Sequence, residues 1–561
     1  MVRTKTALLG RRALACSGLG ILALGAIATC RPSETAAPLR PVASTRGYVL
    51  ISIDTLRADH LGLYGYRRPT SPFLDRLGAR ATVFDNAIVQ VPGTLPSHMC
   101  MFTGLYPPEH GVYPPDAVLS AQIPTLPEVF RQGGFRTAGF TEGGYVAGRF
   151  GFARGFDEFN DQVAKQPEDV ETTFRRGVGF LESIRPEQRF FLFLHTYVVH
   201  DPYTPPARYR SLFADGAPPP DAFAPTGPNF VRFNLGNGTI SPAARQYYEA
   251  LYDADVRYAD DVVNWFFAEL ARLGLADETT VVITSDHGEE FLEHGKMVHE
   301  QVYHELLHVP LLIVHPDPAT RARIEPLVQS IDIAPTLYAL AGIDAPPRIS
   351  GQSLVPYLAG RHEPLRAEAY AEAFVTRDRA IYRAAGSELH HLIVRRPGVE
   401  DGSAWVSRAI SFDWPGGAPD IAVRAFHQPR TVRISLDEQP LTEVALDPSR
   451  WTTLPLAGVT ASPLRHVGIE ADGCVAPSSV SNSSDDRCLA FQIRGTAAER
   501  RELYDVRRDR AEARDVSHDQ AALVRELEQA LDAHAWHGAT PVREELDPAL
   551  RERLRALGYR P

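Results

Sequence analysis

Residues 48–57, YVLISIDTLR, decide the fold of this chain. Tyr48 to Ile53 is a continuous apolar, β-rich run, and Asp54 follows it directly. A strand that is apolar on both sides suits the middle of a sheet covered on both faces. Two further runs have the same character, RFFLFLH at 189–195 and TTVVITS at 279–285. Helical stretches lie between them, as in residues 242–273. The pattern predicts an α/β fold with a mixed or parallel sheet flanked by helices. Each run also ends in a group able to do chemistry: Asp54, His195, and Asp286 with His287. The C-terminal edge of such a sheet is where ligands bind.

The chain has 561 residues, 44% of them hydrophobic and 23% charged, which allows a large folded core and excludes disorder. Its 58 Lys and Arg against 69 Asp and Glu leave a net charge of −11. That balance argues against a nucleic-acid partner, which selects a basic face.

Residues 1–30 read as an export signal. Arg3, Lys5, Arg11 and Arg12 precede an apolar run from Ala13 to Thr29 that stops at Cys30. This is the pattern of a bacterial lipoprotein signal, with Cys30 as the lipidated residue and a Pro/Ala/Ser-rich linker over 31–46. The alternative is an uncleaved anchor helix, for which 17 residues is short. Either reading exports the protein to the periplasm or cell envelope, held at the membrane through its N-terminus.

After about residue 395 the texture changes. Short alternating runs separated by turns fill 404–495, which predicts an inserted β-sandwich-like domain over 396–497. Its simplest role is a spacer or lid, and it is also the natural place for a glycan or partner to bind. Helical periodicity returns in 521–535, so 498–561 is expected to rejoin the catalytic domain of 47–395. Cys474 and Cys488 flank a polar loop in the insertion, and an exported chain permits a disulfide there. Cys100, in MCMF, reads as a buried small hydrophobe.

Four segments carry chemistry. In ISIDTLRADH, Asp54 leaves a buried strand and Arg57 lies one turn on. In VPGTLPSHMCMFTG, Thr94 opens a helical stretch and His98 follows. FLHTYVVHDPYTPP contains His195 and His200, and ITSDHGEEFLEHG contains Asp286 and His287. Each has an ordinary structural reading, such as a helix cap for Asp54 or a core role for a lone histidine. Taken together they describe one divalent metal held by Asp54, Asp286 and His287, with the Thr94 hydroxyl completing the shell. A threonine hydroxyl becomes a nucleophile once a metal or base lowers its pKa. Backbone N–H groups at a helix start would face an anion under attack. His98, His195, His200 and His299 are candidates to offset charge or protonate a leaving oxygen, with His200 first. Arg57 and His299 are candidates to contact an anionic substrate. The residues alone describe a metal-assisted ester hydrolase or transferase acting on anions.

The same segments resemble the sulfatase family of the alkaline phosphatase superfamily. The matching pieces are Asp54, TLPSH…FTGLYPPEHGV, FLHTYVVHDPYTPP, SDHGEEFLEHG with HELLHVPLLI, VQSIDIAPTLYALAG and ELYDVRRDRAEARDV, in family order. The resemblance implies an alkaline phosphatase-like fold and one divalent metal. It covers about 47–395 and 498 onward, leaving the insertion without a counterpart.

The departures bear on the reaction. Sulfatases carry Cys or Ser where this chain has Thr94, followed by an Arg where it has His98, and oxidise that residue to formylglycine. Threonine does not give this aldehyde by the usual route, so no formylglycine is expected. The metal shell has Asp54-Thr55 and Asp286-His287 where the family has Asp-Asp and Asp-Asn, which favours zinc or manganese ahead of calcium. The family's lysine aligns with His299. These differences favour a phosphate mono- or diester or a phosphonate ester, small or glycan-linked, over a sulfate ester. A sulfatase, an envelope phospho-alcohol transferase and a non-catalytic envelope-binding protein are the alternatives.

Overall fold

The computed structural model describes residues 42–556, except 162–168, 215, 235–238, 375, 377, 396–402, 407–408, 415–421, 437–438, 455–464, 475–490, 495–499 and 535–538. The signal segment and Cys30 therefore lie outside the described residues. No helix among the described residues is long and apolar enough to cross a membrane.

Eight strands form the main sheet: β1 (Gly47–Ile53), β2 (Thr82–Ile88), β3 (Arg136–Phe140), β4 (Glu158–Asn160), β5 (Phe190–Thr196), β6 (Thr279–Thr284), β7 (His308–Val314) and β8 (Ala322–Gln329). Their order is β8-β2-β7-β6-β1-β5-β3-β4. Strand β1 pairs in parallel with both β5 and β6, and β7 runs antiparallel to its neighbours β6 and β2, so the sheet is mixed. All seven residues of β1 are buried. Its side chains alternate between two cores, Tyr48 and Leu50 in one, Val49, Ile51 and Ile53 in the other. This two-sided burial is the physical reason for the unbroken apolar run.

Helices cover each face. The helix Pro242–Arg272 starts at Ser241, whose hydroxyl accepts the Ala244 N–H at 3.1 Å, with proline as its first residue. It packs Tyr248, Leu251, Val256 and Phe266 into the core that holds Val49. On the other face lie the helices Thr94–Thr103 and Ile333–Ala341, contributing Leu95, Met99, Phe102 and Leu337.

A second, antiparallel sheet comprises Glu368–Glu372, Arg379–Ala385, Glu388–Arg395 and Arg500–Asp505. Residues 500–505 thus pair with 390–395 across the insertion. The helix Ala521–Ala533 buries Val524, Leu527 and Leu531 against Ile381, Leu392 and Leu503 of this sheet. Within the insertion, strands between 403 and 494 form two four-stranded antiparallel sheets. Residues 430–436 alternate in burial there, as a strand with one covered face should. Cys474 is disulfide-bonded. Its expected partner, Cys488, lies outside the described residues.

Cys100 is a free, buried thiol, 3.5 Å from Nε2 of His110. Nδ1 of that histidine accepts the Val112 N–H at 3.1 Å, so it carries a lone pair. Burial lowers the His110 pKa from 6.5 to about 3. The folded state therefore binds fewer protons here than the unfolded state. Its share of stability is complete above the unfolded value of 6.5 and is lost as the pH falls toward about 3. From pH 7 to pH 5 the loss amounts to about 2 kcal/mol. The urea-derived unfolding free energy of His110→Gln is expected to be flatter than wild type over that interval by this amount. Identical pH slopes in the two proteins would remove the argument.

Candidate active site

The register of the central strands brings the chemistry to one level. Ser52 of β1 stands opposite His195 of β5 and Thr284 of β6, so Asp54, His195 and Asp286 leave the sheet side by side. The backbone turns sharply after Asp54: Thr55 adopts a positive φ of 56°. A β-branched residue in that region is strained by about 1–2 kcal/mol, and its neighbours hold it there. Tyr252 donates its hydroxyl to the Thr55 carbonyl at 2.8 Å and accepts the Arg57 N–H at 2.9 Å. The Thr55 N–H itself donates to Oδ1 of Asp286 at 3.2 Å.

One ligand atom from each of Asp54, Asp286 and His287 lies within 4.8 Å of the others, and all three residues are fully buried. Neither Oδ1 of Asp54 nor Oδ2 of Asp286 receives a hydrogen bond. Burial, and then the charge of Asp286, push the Asp54 carboxyl well above its usual range. Burial works on Asp286 in the same direction, but the neighbouring imidazoles of His287, His98 and His195 and the Thr55 N–H pull it downward. Nδ1 of His287 is 2.9 Å from the Gly288 carbonyl oxygen, so this nitrogen carries the proton and donates it. Nε2 then presents its lone pair toward Asp286 Oδ2 at 3.4 Å and Asp54 Oδ1 at 4.0 Å. Two unsatisfied buried carboxylate oxygens beside an imidazole lone pair fit a divalent cation, and the mixed donor set suits zinc or manganese.

Thr94 is the first residue of its helix and its Oγ1 lies 3.4 Å from Nε2 of His287. The helix is tied to the metal loop by Ser97, whose hydroxyl donates to the Asp286 carbonyl at 2.6 Å. His98 and His195 sit beneath this group. His98 bridges Ser52 Oγ (2.9 Å) and the Thr94 carbonyl (2.8 Å), and His195 Nε2 is 3.4 Å from Asp54 Oδ2. Burial lowers the pKa of both imidazoles. Neutral and fully buried, they orient Thr94 and Asp54.

His200 lies on the loop after β5, its Nδ1 2.7 Å from the Asp201 carbonyl oxygen, and its ring is 5.2 Å from that of His299. The His299 ring stands 4.4 Å from that of His287. Arg57 is placed differently. It donates to Asp59 through Nε and Nη2, and to Glu293 and the Glu289 carbonyl through Nη1. It braces the 289–293 loop beside the site.

Two residues of the site carried no sequence signal of their own. Ser52 holds His98 from within an apolar strand. Glu289 is fully buried, 3.1 Å from Nδ1 of His299, with a carboxyl raised to about 8 by burial. The HGEE stretch following the metal pair was its only mark.

The family model for sulfatases matches residues 46–343, just over half of the chain and all three residues of the candidate metal cluster. The chain belongs to the sulfatase family. Among relatives of this sulfatase-family chain, arylsulfatase K of Rattus norvegicus is 24% identical over 373 residues, 59% of this chain and 66% of that protein. Human iduronate 2-sulfatase is 24% identical over 420 residues, 59% of this chain and 76% of its own length. The first curated relatives are thus matched over about 59 to 66% of their length. Among solved structures, a protein in complex with its substrate D-glucosamine-2-N,6-O-disulfate aligns with a TM-score of 0.59 at 15% identity, covering 88% of this chain and 100% of that one. The phosphonate monoester hydrolase of Agrobacterium radiobacter aligns with a TM-score of 0.53 at 15% identity, covering 89% and 100%. These likenesses bear on the fold, an alkaline phosphatase-like mixed sheet flanked by helices.

Proposed function

We propose that this chain is an exported, lipid-anchored hydrolase of anionic esters that uses unmodified Thr94 as nucleophile, with phosphodiesters or phosphonate esters ahead of sulfate esters. The observation that supports it is the placement of the Thr94 hydroxyl at a helix start, 3.4 Å from the inward nitrogen of His287. The export part rests on residues 1–30 and Cys30.

A divalent cation held by Asp54, Asp286 and His287 would supply Lewis-acid stabilisation and lower the pKa of an adjacent hydroxyl. The chain's own groups do the rest. His98 and Ser97 fix the first turn of the helix, so the Thr94 oxygen meets the ester without reorganisation. Oγ1 releases its proton to solvent and attacks phosphorus, forming the phospho-threonine ester and breaking the bond to the leaving oxygen. His200, with Nδ1 donating to Asp201, carries the transferable proton on Nε2 and passes it to that oxygen. Water, giving one proton back to His200, then attacks the phospho-threonine; the phosphorus product leaves and the Thr94 oxygen takes up a proton from solvent. Glu289 orients His299 beside the anionic group.

The second reading is a sulfate-ester hydrolase, favoured by the names of relatives such as arylsulfatase K and iduronate 2-sulfatase. Nitrophenyl sulfate, phosphate, phosphodiester and phosphonate esters offered to the zinc- or manganese-loaded protein separate the two. Phosphodiester or phosphonate turnover is expected to exceed sulfate turnover at least tenfold and to disappear on chelation. Faster sulfate turnover would overturn the preference and favour sulfatase chemistry at a threonine.

A further inference from the structure

Three residues past His287 the chain builds a second buried cluster that the reaction does not use. Glu290 and Glu305 are buried, and His294 lies between them, with one ligand atom from each of the three within 4.8 Å of the others. His294 Nδ1 is 2.8 Å from Oε1 of Glu305, and its ring stacks on Tyr303 with centroids 3.5 Å apart. Glu290 accepts the Gln301 amide on Oε1 at 2.6 Å, but its Oε2 is fully buried and receives no hydrogen bond. Behind this trio stands a third buried carboxylate, Glu512, which accepts from the His304 N–H at 2.8 Å and pairs with His391.

No arginine is ion-paired with the trio among the described residues, although the charge of Arg57 reaches Glu305 and Arg395 holds Gln301. Arg57 is paired with Asp59 and Glu293, and Arg395 with Asp378 and Glu502. Among the described residues, the ion pairs of Glu305 and Glu512 are with histidines alone. A buried carboxylate oxygen without a donor loses its hydration uncompensated, and a second carboxylate beside it adds repulsion. Burial and the neighbouring Glu305 raise the Glu290 carboxyl well above its usual range. His294 faces Glu305 through Nδ1 and the Glu512 carbonyl oxygen through Nε2, so Glu305 has an N–H partner and Glu290 Oε2 has none. A cation would take the place of the His294 Nδ1 proton and serve all three groups.

We propose that Glu290, His294 and Glu305 form a second, structural site for a divalent cation, separate from the catalytic Asp54–Asp286–His287 centre. Two carboxylates with one imidazole select zinc or manganese over calcium or magnesium, which prefer all-oxygen shells. The site ties the segment that follows the catalytic metal pair to the region of Glu512, through His294 and the His304 N–H. It does not depend on which ester the enzyme cleaves.

Zinc counting on the full-length protein tests this directly. Wild type, equilibrated with zinc and stripped of loose ion on a chelating resin, is expected to keep two equivalents. Asp54→Asn/Asp286→Asn is expected to keep one, and adding Glu290→Gln and Glu305→Gln to leave none. The double variant should also melt higher with zinc than without, a shift the quadruple variant lacks. One equivalent in wild type with none in the double variant overturns the proposal, and these two counts decide even if the quadruple variant does not fold. A second equivalent that survives Glu290→Gln/Glu305→Gln in a folded protein overturns it as well, by placing the ion elsewhere.

Discussion

Thr94→Ala is expected to lower kcat/KM for the preferred ester by on the order of 10³-fold or more, while the catalytic metal stays bound. The separation follows from the geometry. Asp54, Asp286 and His287 supply three ligand atoms of their own, and Asp286 and His287 are held by backbone groups away from the Thr94 side chain. Asp286 accepts the N–H groups of Thr55 and His287 on Oδ1, and His287 is held by the Gly288 carbonyl. In the proposed mechanism, deleting the hydroxyl removes the attacking atom and leaves that cradle standing. Asp54→Asn should behave in the opposite way: it replaces one charged oxygen ligand and leaves His195 with a weaker partner, so metal affinity falls together with rate. Thr94→Ser keeps the hydroxyl and is expected to remain within about tenfold of wild type. Metal content by mass spectrometry and initial rates on the same samples check all three variants. A Thr94→Ala protein that keeps most of its turnover would show that water, or another side chain, attacks the ester directly.

The parts of the fold legible in the sequence were those with a local cause. Tyr48 to Ile53 reads as a central strand because every residue must face one of two cores, and the structure shows that alternation. Val524, Leu527 and Leu531 mark a helix face at three- and four-residue spacing, and they pack on the second sheet. Asp286-His287 could be read as a metal pair because both follow one strand. What escaped was set by contacts between distant segments. The roles of His98 and His195 depend on Ser52, Thr94 and Asp54 meeting beneath the sheet edge, which no spacing reveals. Arg57 looks like an anion contact in the sequence, yet Glu293, more than 200 positions away, and Asp59 take its charge. The cluster around Glu290 was hidden for the same reason: its residues sit in a stretch read only for the metal pair before it.

Phe102→Ala is expected to cost about 3–5 kcal/mol of stability, and the loss should reach the active site. Phe102 is fully buried on the helix that begins with Thr94. Its ring meets that of Phe193 edge-on at 4.8 Å and that of Phe152 at 5.2 Å. Such pairs add about 0.5–1.5 kcal/mol each beyond area burial, and a void here has neighbours on all sides. Phe193 lies two residues before His195 on β5, and the His98 ring also rests on Phe152 and Phe193, at 6.2 and 6.3 Å. The aromatic cluster is thus the floor on which both orienting histidines and the first turn of the helix stand. Emptying it lets that turn shift against the metal pair, and displacement of a nucleophile by about 1 Å can cost on the order of 10²-fold in rate. The lower melting temperature should therefore come with a fall in kcat larger than any change in KM, measured well below the transition. Phe102→Leu, which refills most of the volume, should recover much of both. If Phe102→Ala lowers stability but leaves kcat untouched, the helix is held by Ser97 and His98 alone, and the aromatic floor is only core.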